Sequence, residues 1–154
     1  TTADLDLVTH IEATCFPSAE AAPREAFKGR LAHYADHFLI IFDGDTPIGF
    51  IDGFVTDDEI LTDEMFADAS MHNPDGAWQM IFGLNTMPAY RNRGVGGQLI
   101  EAFIELAKKE NRKGVILTCK EEKIHYYAKF GFVNEGESVS DHGGAKWYQM
   151  RVVF

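Results

Sequence analysis

The residues with the most chemical potential lie together, in Leu84-Asn85-Thr86-Met87-Pro88-Ala89-Tyr90-Arg91-Asn92-Arg93-Gly94-Val95-Gly96-Gly97-Gln98. An apolar run ends at Pro88, three glycines follow two arginines, and an amphipathic segment opens at Val95. A strand that turns through glycines into a helix aims several backbone N–H groups at one point. The helix N-terminus adds about half a positive charge there. Glycines let a ligand approach the backbone closely, and Arg91 and Arg93 add charge to an otherwise acidic chain. This is a phosphate-binding arrangement. Two nucleotide-site patterns are excluded. With Gly94 and Gly96 as its first pair, a dinucleotide fingerprint needs glycine at 99, where Leu99 stands. A P-loop needs Gly-Lys-Ser/Thr, and no such run exists. Taken alone, the glycines fit a plain helix N-cap with tight packing equally well.

Other side chains invite weaker readings. His33 and His37 share a helix face at i,i+4 spacing, which can bind metal. No third ligand accompanies them, so a surface role and no metal site are expected. Cys119 ends an apolar strand with no base beside it and reads as structural. Glu12, Asp58, Glu59 and His72 could accept protons, but each is expected to be a solvated surface group.

These residues must be positioned by a mixed set of elements. Leu5, Val8, Ile11 and Glu12 at helical spacing predict a helix over 5–15, capped by Asp4 or Thr2. A second helix is expected over about 23–34, with Pro23 near its first turn. Strands are expected at 38–42 and 48–55 around the turn Asp43-Gly44-Asp45. A short helix is expected near 63–68. Trp78 to Thr86 reads as one strand buried on both faces. Val95, Leu99, Ile100, Phe103 and Ala107 make one apolar face of a helix over 95–110, with Lys108 and Lys109 suited to its C-terminal dipole. A strand over 114–119, a helix over 124–130 stopped by Gly131, and strands at 132–135 and 146–153 complete an α/β domain around a mixed sheet.

The bulk properties bound the function. A chain of 154 residues fits one domain, 1–154, without repeats or linkers. No segment approaches the ~20 apolar residues of a membrane helix. No signal-peptide pattern opens the chain, and the missing initiator Met suggests trimming. Two cysteines, Cys15 and Cys119, read as free thiols in a reducing compartment, so cytoplasm is expected. A net charge of −10 argues against nucleic-acid binding and suits a cationic small molecule, although solubility alone explains many acidic chains.

The order of these motifs resembles the GNAT superfamily of N-acetyltransferases. Arg91-x-x-Gly94-x-Gly96 resembles its pyrophosphate loop. Ile11-Glu12-x-x-Cys15-Phe16-Pro17 with Glu20-Ala21 resembles the first-helix region of the arylalkylamine branch. Ile48-Gly49-Phe50-Ile51 resembles the third strand, and Tyr126-Tyr127-Ala128-Lys129-Phe130-Gly131-Phe132 the aromatic-rich helix with its Gly-Phe. The resemblance implies a mixed, mostly antiparallel central sheet flanked by helices, with the family's first strand missing from this chain. It implies acetyl-CoA as donor. Arg91, Asn92, Arg93, Gly94, Val95, Gly96, Gly97 and Gln98 would hold its phosphates, and Leu84, Asn85 and Thr86 would border its pantetheine arm. It implies Tyr127 as the acid that protonates the departing sulfur, by the Tyr-x-x-Phe-Gly-Phe spacing. A small-molecule or peptide primary amine is the expected acceptor, by direct transfer in a ternary complex, and a homodimer is compatible. The chain departs from the arylalkylamine N-acetyltransferases at their two strand histidines, which correspond to Met80 and Phe82. The alternatives are a non-catalytic CoA-binding module and a partner-binding protein that has kept only the fold.

Overall fold

The computed structural model describes residues 4–140 and 142–154, the side chain of His142 excepted. Its first element is α1 (Leu5–Cys15), and no side chain caps it, although Asp4 holds the N-cap position. Thr2 lies outside the described residues. Pro23 caps α2 (Arg24–Tyr34), where its fixed φ and missing N–H cost nothing. The two helices place Leu5, Val8, Ile11, Phe27 and Leu31 in one cluster around Phe50. Then come β1 (Phe38–Asp43), β2 (Thr46–Asp52), β3 (Val55–Thr56), α3 (Asp63–Ala67), β4 (Trp78–Ile81), β5 (Gly83–Thr86) and α4 (Val95–Lys109). The chain closes with β6 (Gly114–Cys119), α5 (Ile124–Ala128), β7 (Val133–Glu137) and β8 (Tyr148–Val153).

The strands form two ladders, β1-β2-β5 and β3-β4-β6-β8-β7. Among the described residues every strand pairing is antiparallel except β4 with β6. The mixed, mostly antiparallel sheet flanked by helices is therefore present. Strand β6 shows why it has two faces: Val115, Leu117 and Cys119 join the α4 core, while Ile116 packs with Tyr34, Phe54 and Met80 on the other side. Helix α4 buries Leu99, Ile100, Phe103 and Ala107 as its spacing requires. No helix among the described residues is long and apolar enough to cross a membrane.

Two expected strands are broken in two. The run 48–55 ends as β2 at Asp52 and resumes as β3 in the other ladder. Gly53 marks the crossing: a Cβ there would lie 1.8 Å from the Met80 carbonyl oxygen, so only glycine fits. The run 78–86 is likewise two strands, parted at Phe82. Strand β4 stays paired with β3 and β6, while β5 turns away to pair with β2. Apolar content does not report such a divergence, because both halves are covered by helices.

Phe103 is fully buried at the centre of the α4 face. Phe103→Ala should destabilise the fold by about 3–5 kcal/mol through lost burial and a residual cavity. Urea unfolding should show the midpoint falling with an unchanged m-value.

Candidate active site

The parting of β4 and β5 opens a wedge. Strand β6 pairs with β4 only as far as Leu117 opposite Ile81. Among the described residues, no strand pairs with β5 on its β6 side. The wedge leads into a cleft of about 910 Å³ that passes between the two helical layers. Residues of α1, α2 and α3 line one side, and the α4 N-terminus and α5 line the other.

The glycine turn stands at the α4 end. Gly94 is in the left-handed region, φ 77°, and a Cβ on it would meet open space. Asn92 is left-handed too, φ 64°. No side chain caps α4, so its first amides are free for a ligand. Arg91 is exposed, and its Nε donates to the Thr86 carbonyl at 3.1 Å, which lays the guanidinium along the end of β5. The Cys15 thiol donates to the same carbonyl at 3.3 Å. Of the expected donor-holding residues, Leu84, Asn85, Thr86, Arg91, Asn92, Gly94, Val95 and Gly96 line the cleft. Arg93, Gly97 and Gln98 do not. Arg93 turns over the Tyr90 ring, 5.6 Å from its centroid. Gly97 faces the Phe130 ring, and Gln98 gives its N–H to Gly94 inside the helix.

Tyr126 and Tyr127 both line the cleft, their rings edge-to-face at 5.2 Å. Their environments differ. A Cβ on Gly96 would lie 2.8 Å from the Tyr126 hydroxyl, so that phenol sits on the phosphate turn. Tyr127 packs against Phe132, near Cys119. Burial pushes the Tyr127 phenol well above its ordinary range, and the neighbouring Cys119 and Tyr126 add to the shift. It therefore keeps its proton throughout the neutral range. Cys119 also lines the cleft, its Sγ 3.6 Å from Met150 Sδ, and burial pushes its thiol to about 11. At neutral pH it is a thiol and a poor nucleophile. Both cysteines are free.

On the opposite side the cleft has an acidic wall. Glu12 was expected at the surface, yet it is 6% exposed and lines the cleft. Its Oε2 accepts the Ala22 N–H at 2.8 Å, and its Oε1 accepts Asn85 Nδ2 at 3.1 Å. Beneath it Arg30 and Asp52 form a buried ion pair at 3.2 Å. The Arg30 guanidinium also donates to the Phe66 carbonyl at 3.0 Å and lies against the rings of Phe27, Phe66 and Phe82. Burial lifts the Asp52 carboxyl to about 7, with Arg30 opposing and Glu12 adding to the rise. No motif marks Arg30 or Asp52. The available signal was Arg30 inside the apolar stripe Phe27, Leu31 and Tyr34. At the mouth, Lys120 bridges to Glu20 at 2.7 Å and lies over the Trp147 ring.

The other proton acceptors stand elsewhere. His72 is half-buried rather than at the surface: it accepts the Val55 N–H at 3.0 Å and packs on Tyr34 and Phe54. Burial and the nearby His37 lower its pKa. His37 is also buried, bonded to Glu110 and Asp36. His33 instead bonds the Gly29 carbonyl. No metal-binding cluster is present among the described residues. Asp58 is exposed, and Glu59 pairs with Arg151. Phe82 reaches the cleft, whereas Met80 is wholly buried beside Phe54 and Ile116.

Comparison with known proteins agrees with this architecture. The chain is 29% identical over 137 residues to the probable hydrolase YhcX of Bacillus subtilis, a match that takes in 82% of this chain and only 26% of that protein. It is 26% identical over 143 residues to the serotonin N-acetyltransferase of Mesocricetus auratus, with 83% of this chain and 68% of that protein covered. Among solved structures, the GphF GNAT-like decarboxylase in complex with isobutyryl-CoA superposes with a TM-score of 0.85 at 17% identity, over 99% of this chain and 96% of that one. Residues 5–132 match the acetyltransferase (GNAT) family as a whole. With its split strand, glycine turn and aromatic helix in that family's order, this chain belongs to the acetyltransferase (GNAT) family.

Proposed function

We propose that the chain transfers an acetyl group from acetyl-CoA to a primary amine, with both substrates held in the cleft at once. One observation carries this reading: the wedge between β5 and β6 runs from an uncapped helix N-terminus to a wall lined with carboxylates. A long, phosphorylated thioester suits the first end and a cationic acceptor suits the second. The residues present fit the donor. The first amides of α4 and Arg91 would hold the phosphates, and the open edge of β5 would border the pantetheine arm. Acetyl-CoA supplies an activated acyl carbon. The GphF neighbour, crystallised with isobutyryl-CoA, lends support at the level of fold.

The protein's own groups divide the work. The wedge excludes bulk water from the thioester and aligns it for attack. Tyr127 keeps its proton because burial disfavours the phenolate. It can surrender that proton to a thiolate forming beside it. A phenol is a weaker acid than a thiol, so the transfer proceeds only while another proton returns to Tyr127 from the acceptor nitrogen. A non-catalytic CoA-binding module is favoured by one observation, that Met80 and Phe82 cannot carry protons. Thioester consumption with a panel of amines, followed as thiol release, separates the two readings. No release with any amine supports the module.

Two variants test the assignments. CoA should raise the melting temperature of the wild type by mass action, by about 2.7 kcal/mol of stability at a hundred times Kd. Gly96→Asp places a carboxylate among the phosphate-directed amides, where a Cβ already meets the Tyr126 hydroxyl. Its melting temperature should be indifferent to CoA, and a wild-type response would remove the phosphate site from this turn.

Tyr127→Phe keeps the ring and deletes the proton. Turnover should fall about 10² to 10⁴-fold with donor affinity nearly unchanged. Tyr126→Phe, which loses a hydroxyl at the phosphate turn, should weaken CoA binding more than turnover. Near-wild-type turnover in Tyr127→Phe would reject it as the acid.

A further inference from the structure

Acetylating an amine at neutral pH requires a place for a proton. An alkylammonium with a pKa near 10 is neutral in about one part in 10³ at pH 7. Among the described residues, five acids line the cleft: Glu12, Glu20, Glu25, Asp63 and Glu122. Glu25 and Glu122 are exposed to solvent. Glu20 is held by Lys120, and Asp63 is held by the Ser140 hydroxyl. Glu12 is the one that is buried.

What lies behind Glu12 is more telling. Asp52 is fully buried, and a single guanidinium, that of Arg30, pairs with it. Gly83 brings the two acids together. A Cβ on Gly83 would stand 2.7 Å from Asp52 Oδ1, 3.4 Å from Asn85 Nδ2 and 3.6 Å from Glu12 Oε1. Both carboxylates and the Asn85 amide thus crowd one face of β5. Within that cluster Asn85 Oδ1 and Arg30 Nε are buried without a hydrogen-bond partner among the described residues, while the Gly83 N–H faces the Asp52 carboxyl. Two buried carboxylates beside one cation cannot both ionise cheaply, and Asp52, the more deeply buried, holds a proton below about 7. The charged and titratable groups facing Asp52 are Glu12 from α1 and Arg30 and Tyr34 from α2. Strand β5 contributes only Gly83 and Asn85, which do not titrate.

We propose that Glu12 is the catalytic base that accepts the ammonium proton of the acceptor, and that Asp52 is a positioning residue that sets the basicity of Glu12 from behind. This rests on the acetyl-transfer reading. The ammonium N–H bond breaks and its proton passes to a Glu12 carboxylate oxygen. The freed lone pair forms the C–N bond to the acetyl carbon. The C–S bond breaks, and the sulfur keeps the electron pair and takes the proton of Tyr127. The second nitrogen proton returns to Tyr127, and Glu12 releases its own to solvent. The sum is one amide, one thiol and one released proton.

The buried pair also leaves a mark on stability. Asp52 is raised by burial to about 7. Its contribution to stability is full below the unfolded carboxyl value of about 3.9 and is lost as pH rises through about 7.

The test has two arms. In the first, thiol release from acetyl-CoA is followed with primary amines between pH 5.5 and 9. Glu12→Gln, which can still accept the Ala22 N–H, should lower kcat about 10² to 10⁴-fold while CoA affinity is retained. Asp52→Asn should remove the component of the kcat/KM profile that titrates near 7, because ionisation of the acid behind Glu12 no longer raises its basicity. A Glu12→Gln kcat within threefold of wild type, or an unchanged profile near pH 7 in Asp52→Asn, would overturn the assignment. In the second arm, infrared titration of the protein alone follows the carbonyl band of a protonated buried carboxyl. The band should disappear on raising the pH through 7 in the wild type and be absent in Asp52→Asn. Failure of this arm overturns the buried proton on Asp52 whatever the activity. Absence of amine acetylation in the wild type with this arm intact overturns the acetyl-transfer reading, and the role of Glu12 as base with it.

Discussion

The fold depends on one discontinuity in backbone hydrogen bonding. A strand that ran straight on from Ile81 would continue its pairing with β6 to the end of that strand at Cys119. By parting at Phe82, it satisfies its first half against β3 and β6 and its second half against β2. Backbone groups left without a strand partner must find another one. The wedge is the place where the fold keeps such groups reachable, and the glycine turn, the two tyrosines and the acidic wall all converge on it. The glycines at 53 and 83 make room for the parting, one where backbones cross and one where carboxylates crowd.

The charges under the wedge are costly. Removing a guanidinium and two carboxylates from water carries a penalty that their attraction only partly offsets. The aromatic rings around Arg30 shield its faces and supply cation–π attraction, so the guanidinium stays where it is hard to hydrate. An apolar replacement of the ion pair would serve packing better. Its retention is intelligible if the proton it controls is used.

Much of this was legible in the residues. The 3.6 period of Val95, Leu99, Ile100, Phe103 and Ala107 gave α4 within a residue, and the order of Arg91, Gly94 and Gly96 before it marked the turn. Tyr127 was singled out only by its resemblance to the family's Tyr-x-x-Phe-Gly-Phe pattern, and in the structure it lines the cleft. The strand divisions at Gly53 and Phe82 were not legible, because periodicity records burial and both sides of each division are buried. Glu12 and His37 were misplaced at the surface for a related reason. A polar residue on a helix gives no sign of whether it faces water or a distant partner, and the partners here, Asn85 and Glu110, lie 73 positions away in each case. Of the residues grouped with the turn, Arg93 precedes α4 and lies over the Tyr90 ring, and Gln98 lies within the first turn of the helix, where its N–H bonds Gly94.

The single parallel pairing, β4 with β6, has a consequence for how the molecule assembles. An antiparallel neighbour can be reached through a tight turn, but a parallel one requires a crossover, and here the whole of α4 lies within it. The pairing of β4 with β6, which stands where the wedge begins, therefore forms only when that long crossover has closed. Contacts of such long sequence separation are entropically expensive and slow to form. The hairpin β1-β2 can be made locally and early. The cleft is accordingly among the last features to appear during refolding, so recovery of native secondary structure should run ahead of recovery of the binding surface.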